Sequence, residues 1–248
     1  MKKRFLLQTL ALAALAASTS GVMAQEKFKI GLVVPMTGQQ ATTGRQIEAA
    51  ARLYMAQHGD TVAGKKIELI VKDDTSLPDQ TRRLAQELIV NDKVNVLAGM
   101  GITPSAMAVA PLATQSKTPL VVMAAATSSI TEASPYIVRT SFTLPQASVA
   151  LADWAPKNGI KKVVTLVSDY GPGIDAEKFF KERLTFNGGQ VIEQLRVPLR
   201  NPDFAPFLQK VRDAKPDALF VFVPSGAGAA VMKQFLERGM DKAGIKLI

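Results

Sequence analysis

From Lys27 onward, short continuous apolar runs alternate with stretches whose apolar positions recur at helical spacing. Phe28 to Val34 reads as a strand, and Arg45 to Gln57 as a helix with Ile47, Ala50, Ala51 and Tyr54 on one face. Ile67 to Val71 is a strand, followed by a helix over Gln80 to Val90 with Pro78 where a first helical turn tolerates it. Val94 to Ala98, Leu120 to Met123 and Tyr136 to Val138 read as strands, with a helix from Pro104 to Ser116. A second series then begins. Helices are predicted over Pro145–Asn158, Ile174–Phe186, Phe204–Ala214 and Gly226–Arg238. Strands are predicted over Val163–Val167, Val191–Val197, Ala218–Val223 and Ile245–Ile248. Strands without polar alternation, each followed by a helix, imply parallel sheets covered on both faces. Two such series predict two α/β lobes, 25–142 and 143–248, joined where "RTSFTLP" breaks a strand and restarts with a helix. The chain stops on an apolar strand, whose edge is normally paired or covered, so further chain is expected beyond Ile248.

The first 24 residues stand outside this pattern. A basic start (Met1-Lys2-Lys3-Arg4), an apolar run from Phe5 to Ala17 and the small-residue ending Val22-Met23-Ala24 read as a secretory signal cleaved after Ala24. The apolar run is short for a membrane span. The mature protein is therefore expected in the periplasm. Its charge falls from +9 to +6, with 27 basic against 21 acidic residues. The basic residues are scattered and not interleaved with aromatics, which argues against nucleic-acid binding.

Composition removes several chemistries. The chain has no cysteine and one histidine, which excludes disulfides, cysteine zinc sites and multi-histidine metal centres. His58, at a predicted helix end, suits a surface or capping role. "PSGAG" lacks the G-x-S-x-G spacing of a nucleophile elbow. "PMTGQQATTG", "GMGITPS" and "GPG" do not meet any phosphate-loop fingerprint, and Pro172 removes an N–H donor. Asp73, Asp74 and Asp169 are read as turn braces ahead of metal ligands. No cofactor is expected. Trp154, Phe179, Phe180, Phe204 and Phe207 are assigned to core packing, whereas Tyr170, between a strand end and a Pro-Gly turn, suits the wall of a small-ligand cleft.

In open parallel sheets ligands bind beyond the carboxyl ends of the strands. Here those loops are rich in Gly, Ser, Thr and Ala. They bring backbone N–H groups and hydroxyls to helix N-termini, which favour anions.

The ordered set "KIGLVVPMTGQQATTGRQ", "IELIVKDDTSLPDQ", "VLAGMGITPS", "MAAATSSIT", "VSDYGPGIDA" and "NPDFAPFLQKVRDAKPDALFVFVP" resembles the branched-chain amino-acid-type periplasmic binding proteins. These are the type I solute receptors of ABC importers, and the resemblance runs over Lys27 to Ile248. It implies a two-lobed clamp, each lobe a parallel sheet flanked by helices, incomplete at its C-terminus. A small carboxylate would bind between the lobes. Thr103 or Ser105 would supply a hydroxyl, Ala125 backbone, and Thr127 both backbone and hydroxyl. Tyr170 would close from the second lobe. Thr43 falls where the family often has an aromatic, and Ser225 where a pocket aromatic can occur. The acidic residue that meets an amino-acid ammonium would follow Ile248, so an amino acid and an aromatic or aliphatic organic acid both remain open. The resemblance further implies ABC permease components as partners, a monomeric receptor and no catalysis. A ligand sensor on the same fold is the alternative, and an α/β enzyme a more distant one.

Overall fold

In a computed structural model, residues 26–38 and 40–248 are described; the signal read at 1–24 lies outside them. The first sheet contains β1 (Lys27–Val34), β2 (Thr61–Val62), β3 (Lys65–Asp73), β4 (Val96–Gly99), β5 (Leu120–Val122) and β6 (Ile137–Arg139), in the order β2-β3-β1-β4-β5-β6. The second contains β7 (Lys162–Ser168), β8 (Gln190–Val197), β9 (Ala218–Phe222) and β10 (Lys246–Leu247), in the order β10-β9-β7-β8. All pairings are parallel except β2 with β3. That hairpin escaped the apolar pattern because Thr61–Val62 is exposed and only two residues long. Its Ala63-Gly64 turn takes positive φ at both positions, 49° and 78°, which suits the twist of the flanking strands.

Among the described residues, seven α-helices connect the strands: α1 (Ala41–His58), α2 (Pro78–Val90), α3 (Thr103–Ser116), α4 (Leu144–Lys157), α5 (Gly171–Phe186), α6 (Ala205–Ala214) and α7 (Ser225–Glu237). A 3-10 turn spans Ser128–Glu132. Leu84, Leu88, Val109 and Ala113 of α2 and α3 pack on one face of the first sheet through Leu97, Leu120 and Val122. The opposite face carries a smaller cluster around Leu32, Val34 and Ala98, met by Ile47 of α1. The second sheet is covered on both faces. Phe180 and Leu184 of α5, with Ala152 and Ala155 of α4, fill one side. Leu208, Val211, Val231 and Phe235 of α6 and α7 fill the other. Continuous apolar strands such as Val163–Val167 follow from this two-sided burial.

Two side-chain expectations fail. Trp154 is 46% exposed rather than core, because the buried face of α4 is supplied by the small residues Ala152 and Ala155. Tyr54 is also exposed; its ring stacks on His58, 4.2 Å away, at the end of α1. His58 Nδ1 lies 3.1 Å from the Tyr54 carbonyl, a local helix-end contact. Phe180 and Phe204 are fully buried, and Phe207 packs at the margin of the core.

Candidate functional site

The carboxyl ends of β1, β4, β5, β7 and β9 face a cavity of about 240 Å³. This is below the ~300–1,000 Å³ usual for drug-sized ligands and suits a small one. From the first sheet come Gln40 and Thr43 after β1, Ile102 and Thr103 after β4, and Ala124 to Ala126 after β5. From the second come Tyr170 and Pro172 after β7, and Phe222 to Ser225 after β9. Phe142 and Leu144, on the segment crossing between the sheets, close a side. None of these lining residues is charged. A wider cleft of about 540 Å³ shares Gln40 and Ile102 and leads out past Arg200.

Thr103 opens α3, and its Oγ1 lies 2.8 Å from Thr127 Oγ1. Each hydroxyl has one proton, so only one of them donates within the pair. A carboxylate placed there would accept both, with the pair parted. The Thr127 carbonyl in turn accepts from Arg139 Nη2, which sets a guanidinium behind this end of the cavity. Burial lowers the affinity of Arg139 for its proton, and the Asp175 carboxylate opposes that shift.

The "SDYGPG" stretch does its work by close approach. The structure begins α5 at Gly171, not Ile174, because Pro172 fits the first turn and lets the helix start early. A Cβ on Gly173 would stand 1.9 Å from the Ser168 carbonyl, so only glycine lets α5 lie on the end of β7. A Cβ on Gly171 would stand 2.8 Å from Thr127 Oγ1, so the second lobe presses directly on the Thr103–Thr127 pair. Tyr170, just before the helix, adopts extended backbone (φ −162°) and faces the cavity with its ring stacked 6.3 Å from Phe222. Burial pushes its phenol well above the ordinary tyrosine value, so it stays protonated and neutral.

The remaining sequence-predicted positions separate clearly. Ala125 lines the cavity, but its N–H donates to the Met100 carbonyl at 2.9 Å, so it supplies wall and not a donor. Thr127 is not itself a wall residue; it stands behind Thr103. Of the two hydroxyls left open by "GITPS", Thr103 is at the cavity. Ser105 is fully buried, 2.7 Å from Thr81 Oγ1 and bonded to Asp74, so it braces the α2–α3 packing. Thr43 and Ser225 meet across the lobes at 3.2 Å, and Ser225 Oγ donates to Gln40 Oε1 at 3.0 Å. A further bridge runs from the first lobe to α5, where the Ser128 N–H and hydroxyl both donate to Asp175 Oδ2, at 2.8 and 2.9 Å. Sequence reasoning missed Gln40, Phe142, Phe222, Arg139 and Asp175. Of these, Gln40 and Phe222 are within reach of the sequence, since Gln40 lies in the loop after the first strand and Phe222 stands at the carboxyl end of β9, where ligands bind in such sheets.

A family model described as "Periplasmic binding protein" matches residues 27–248. The chain is 43% identical over 247 residues to the Leu/Ile/Val-binding protein homolog 6 of Brucella abortus (strain 2308), covering 99% of this chain and 63% of that relative. It is similar to the crystal structure of a solute-binding protein of an ABC transporter from Rhodopseudomonas palustris BisB5 in complex with 3,4-dihydroxybenzoic acid. That likeness has a TM-score of 0.87 and 69% identity, over 89% of this chain and 61% of that one. A second solute-binding protein of R. palustris, in complex with 4-hydroxybenzoate, matches with a TM-score of 0.87 and 46% identity, over 90% of this chain and 61% of that one.

Proposed function

Since the chain belongs to the periplasmic binding protein family, we propose that it is the solute-binding receptor of an ABC importer whose ligand is a small aromatic carboxylate. The observation that carries this reading is an uncharged cavity with aromatic and aliphatic walls, onto which helix N-termini from both lobes converge. Thr103 on α3 and Pro172 on α5 both belong to first helical turns, and both line it. Helix N-termini carry partial positive charge and free N–H groups, so they stabilise an anion without a basic side chain in contact. The rings of Tyr170, Phe222 and Phe142 offer flat apolar surface to a benzene ring. Two relatives solved with hydroxylated benzoic acids support the same ligand class.

No bond is made or broken in this function. Ligand contacts to both lobes favour the closed arrangement over the open one, and a membrane permease receives the closed form. Export by the segment at 1–24 places the receptor in the periplasm, where it acts as a monomer. Among the described residues no helix is long and apolar enough to cross a membrane. A branched-chain amino acid is the second reading, favoured by the name of the Brucella relative.

Calorimetric titration of the full chain decides between them. Benzoate, 3- and 4-hydroxybenzoate and 3,4-dihydroxybenzoate are expected to bind, and leucine, isoleucine and valine are not. Binding of a branched-chain amino acid with silence from every aromatic acid would overturn the proposal.

A further inference from the structure

The cavity has two polar clusters, and the fold keeps them apart. Thr103 and Thr127 belong to the loops after β4 and β5 and face α5, which follows β7. Gln40 and Thr43 belong to the loop and helix after β1, and face Ser225, which follows β9. In the first sheet β1 lies beside β4 on the side away from β5, and in the second β9 is next to β7. The two clusters therefore stand over different strands, β4 and β5 against β1 in the first sheet and β7 against β9 in the second. Apolar residues from both lobes, Ile102 and Phe222 among them, line the same cavity.

The protons of the second cluster have a fixed order. Ser225 Oγ donates to Gln40 Oε1. A hydroxyl has a single proton, so in the Thr43–Ser225 contact the donor is Thr43. Thr43 Oγ1 is left with acceptor capacity only, and the Gln40 amide N–H groups take no part in this chain. An acceptor beside a donor, in the same cavity as an anion-binding end but over a different strand, is the complement of a phenolic hydroxyl. It does not complement the methyl groups of an aliphatic side chain, which would leave these polar atoms without partners.

Resting on the aromatic-carboxylate reading above, we propose that Gln40, Thr43 and Ser225 are the specificity-determining residues of this site, and that they recognise a ring hydroxyl of a hydroxylated benzoic acid. The phenol donates to Thr43 Oγ1 and accepts from the Gln40 amide, and Ser225 holds both from the opposite lobe. Hydroxyl recognition is thereby coupled to closure, because the chain it completes already crosses between the lobes.

The test is the affinity ratio of 4-hydroxybenzoate to benzoate, measured by calorimetry on the full chain and on Thr43→Val, Ser225→Ala and Thr103→Val. The wild type is expected to prefer the hydroxylated acid by about tenfold, as one well-placed hydrogen bond supplies. Thr43→Val and Ser225→Ala should bring the ratio close to one. Thr103→Val should weaken both ligands and keep the ratio. A wild type that binds benzoate equally well, or a ratio that survives both Thr43→Val and Ser225→Ala, overturns the assignment of these residues while leaving the aromatic-carboxylate reading intact. A wild type that binds no aromatic acid overturns that reading, and this one with it.

Discussion

Two glycines two residues apart are required for different reasons, and substitution separates them. Gly173 is confined within its own lobe, where a methyl group would overlap the Ser168 carbonyl at 1.9 Å and its carbon at 3.0 Å. Backbone cannot move aside cheaply, so Gly173→Ala must lift the first turn of α5 from β7. A loss of roughly 1–3 kcal/mol is expected, the usual cost of overpacking, seen as a lower urea midpoint with an unchanged slope. Gly171 instead faces Thr127 Oγ1 across the lobes. Gly171→Ala should leave the urea midpoint near wild type and weaken binding of an aromatic acid, because it holds the lobes apart. Equal destabilisation by both substitutions would show that Gly171 is packed inside one lobe and not at the closing surface.

At the scale of elements, the loop that delivers Gln40 and α1 to the cavity is fastened to the end of β3. Asp73 accepts the Met36 N–H at 2.8 Å, the Thr37 hydroxyl at 2.6 Å and the Thr75 N–H at 2.9 Å. Burial pushes its carboxyl up, but these donors, the Thr37 hydroxyl foremost, together outweigh it and hold the group below the usual carboxylate range. A carboxyl whose folded-state value lies below its unfolded one adds stability above the unfolded value and loses it as pH falls through the folded one. Asp73→Asn should therefore melt below wild type at neutral pH, and the two curves should converge as pH drops through and below the ordinary aspartate range. A difference that persists unchanged into acid would mean that geometry, not charge, does the bracing. Its neighbour Asp74 is shifted the other way, chiefly by burial, so the comparison must be with the Asp73 variant and not with a general acid melt. The turn-bracing role of both aspartates was legible in the sequence, as were both parallel series, because continuous apolar strands report two-sided burial. Other features depend on what packs nearby. Whether Trp154 or Ala152 is buried depends on the neighbour of α4. The start of α5 depends on whether glycine permits contact with β7. The hidden placement of Ser105 follows from Thr81 and Asp74 beneath it, which sequence spacing does not reveal.

In the whole molecule, two separate sheets are held closed around the cavity by contacts between their loops and helices. Among the described residues the side-chain bridges between the lobes are few: Ser225 to Thr43 and Gln40 on one side, and Asp175 to Ser128 on the other. The second is the stronger, since one carboxylate oxygen takes two donors and the charge faces Arg139. It also lies outside the group of residues lining the cavity, so removing it changes closure without removing a ligand contact. Asp175→Ala should lower the closed fraction, and apparent affinity falls in proportion to that fraction. Loss of a charge-assisted pair of this kind, discounted for its partly exposed position, corresponds to about tenfold weaker binding of aromatic acids, without change in their order of preference. Small-angle scattering of the ligand-free full chain should show a larger radius of gyration for the variant, and saturating ligand should bring it back to the wild-type value. If affinity and radius both stay at wild type, Asp175 is not a latch, and closure rests on the ligand and the Thr43–Ser225 bridge alone.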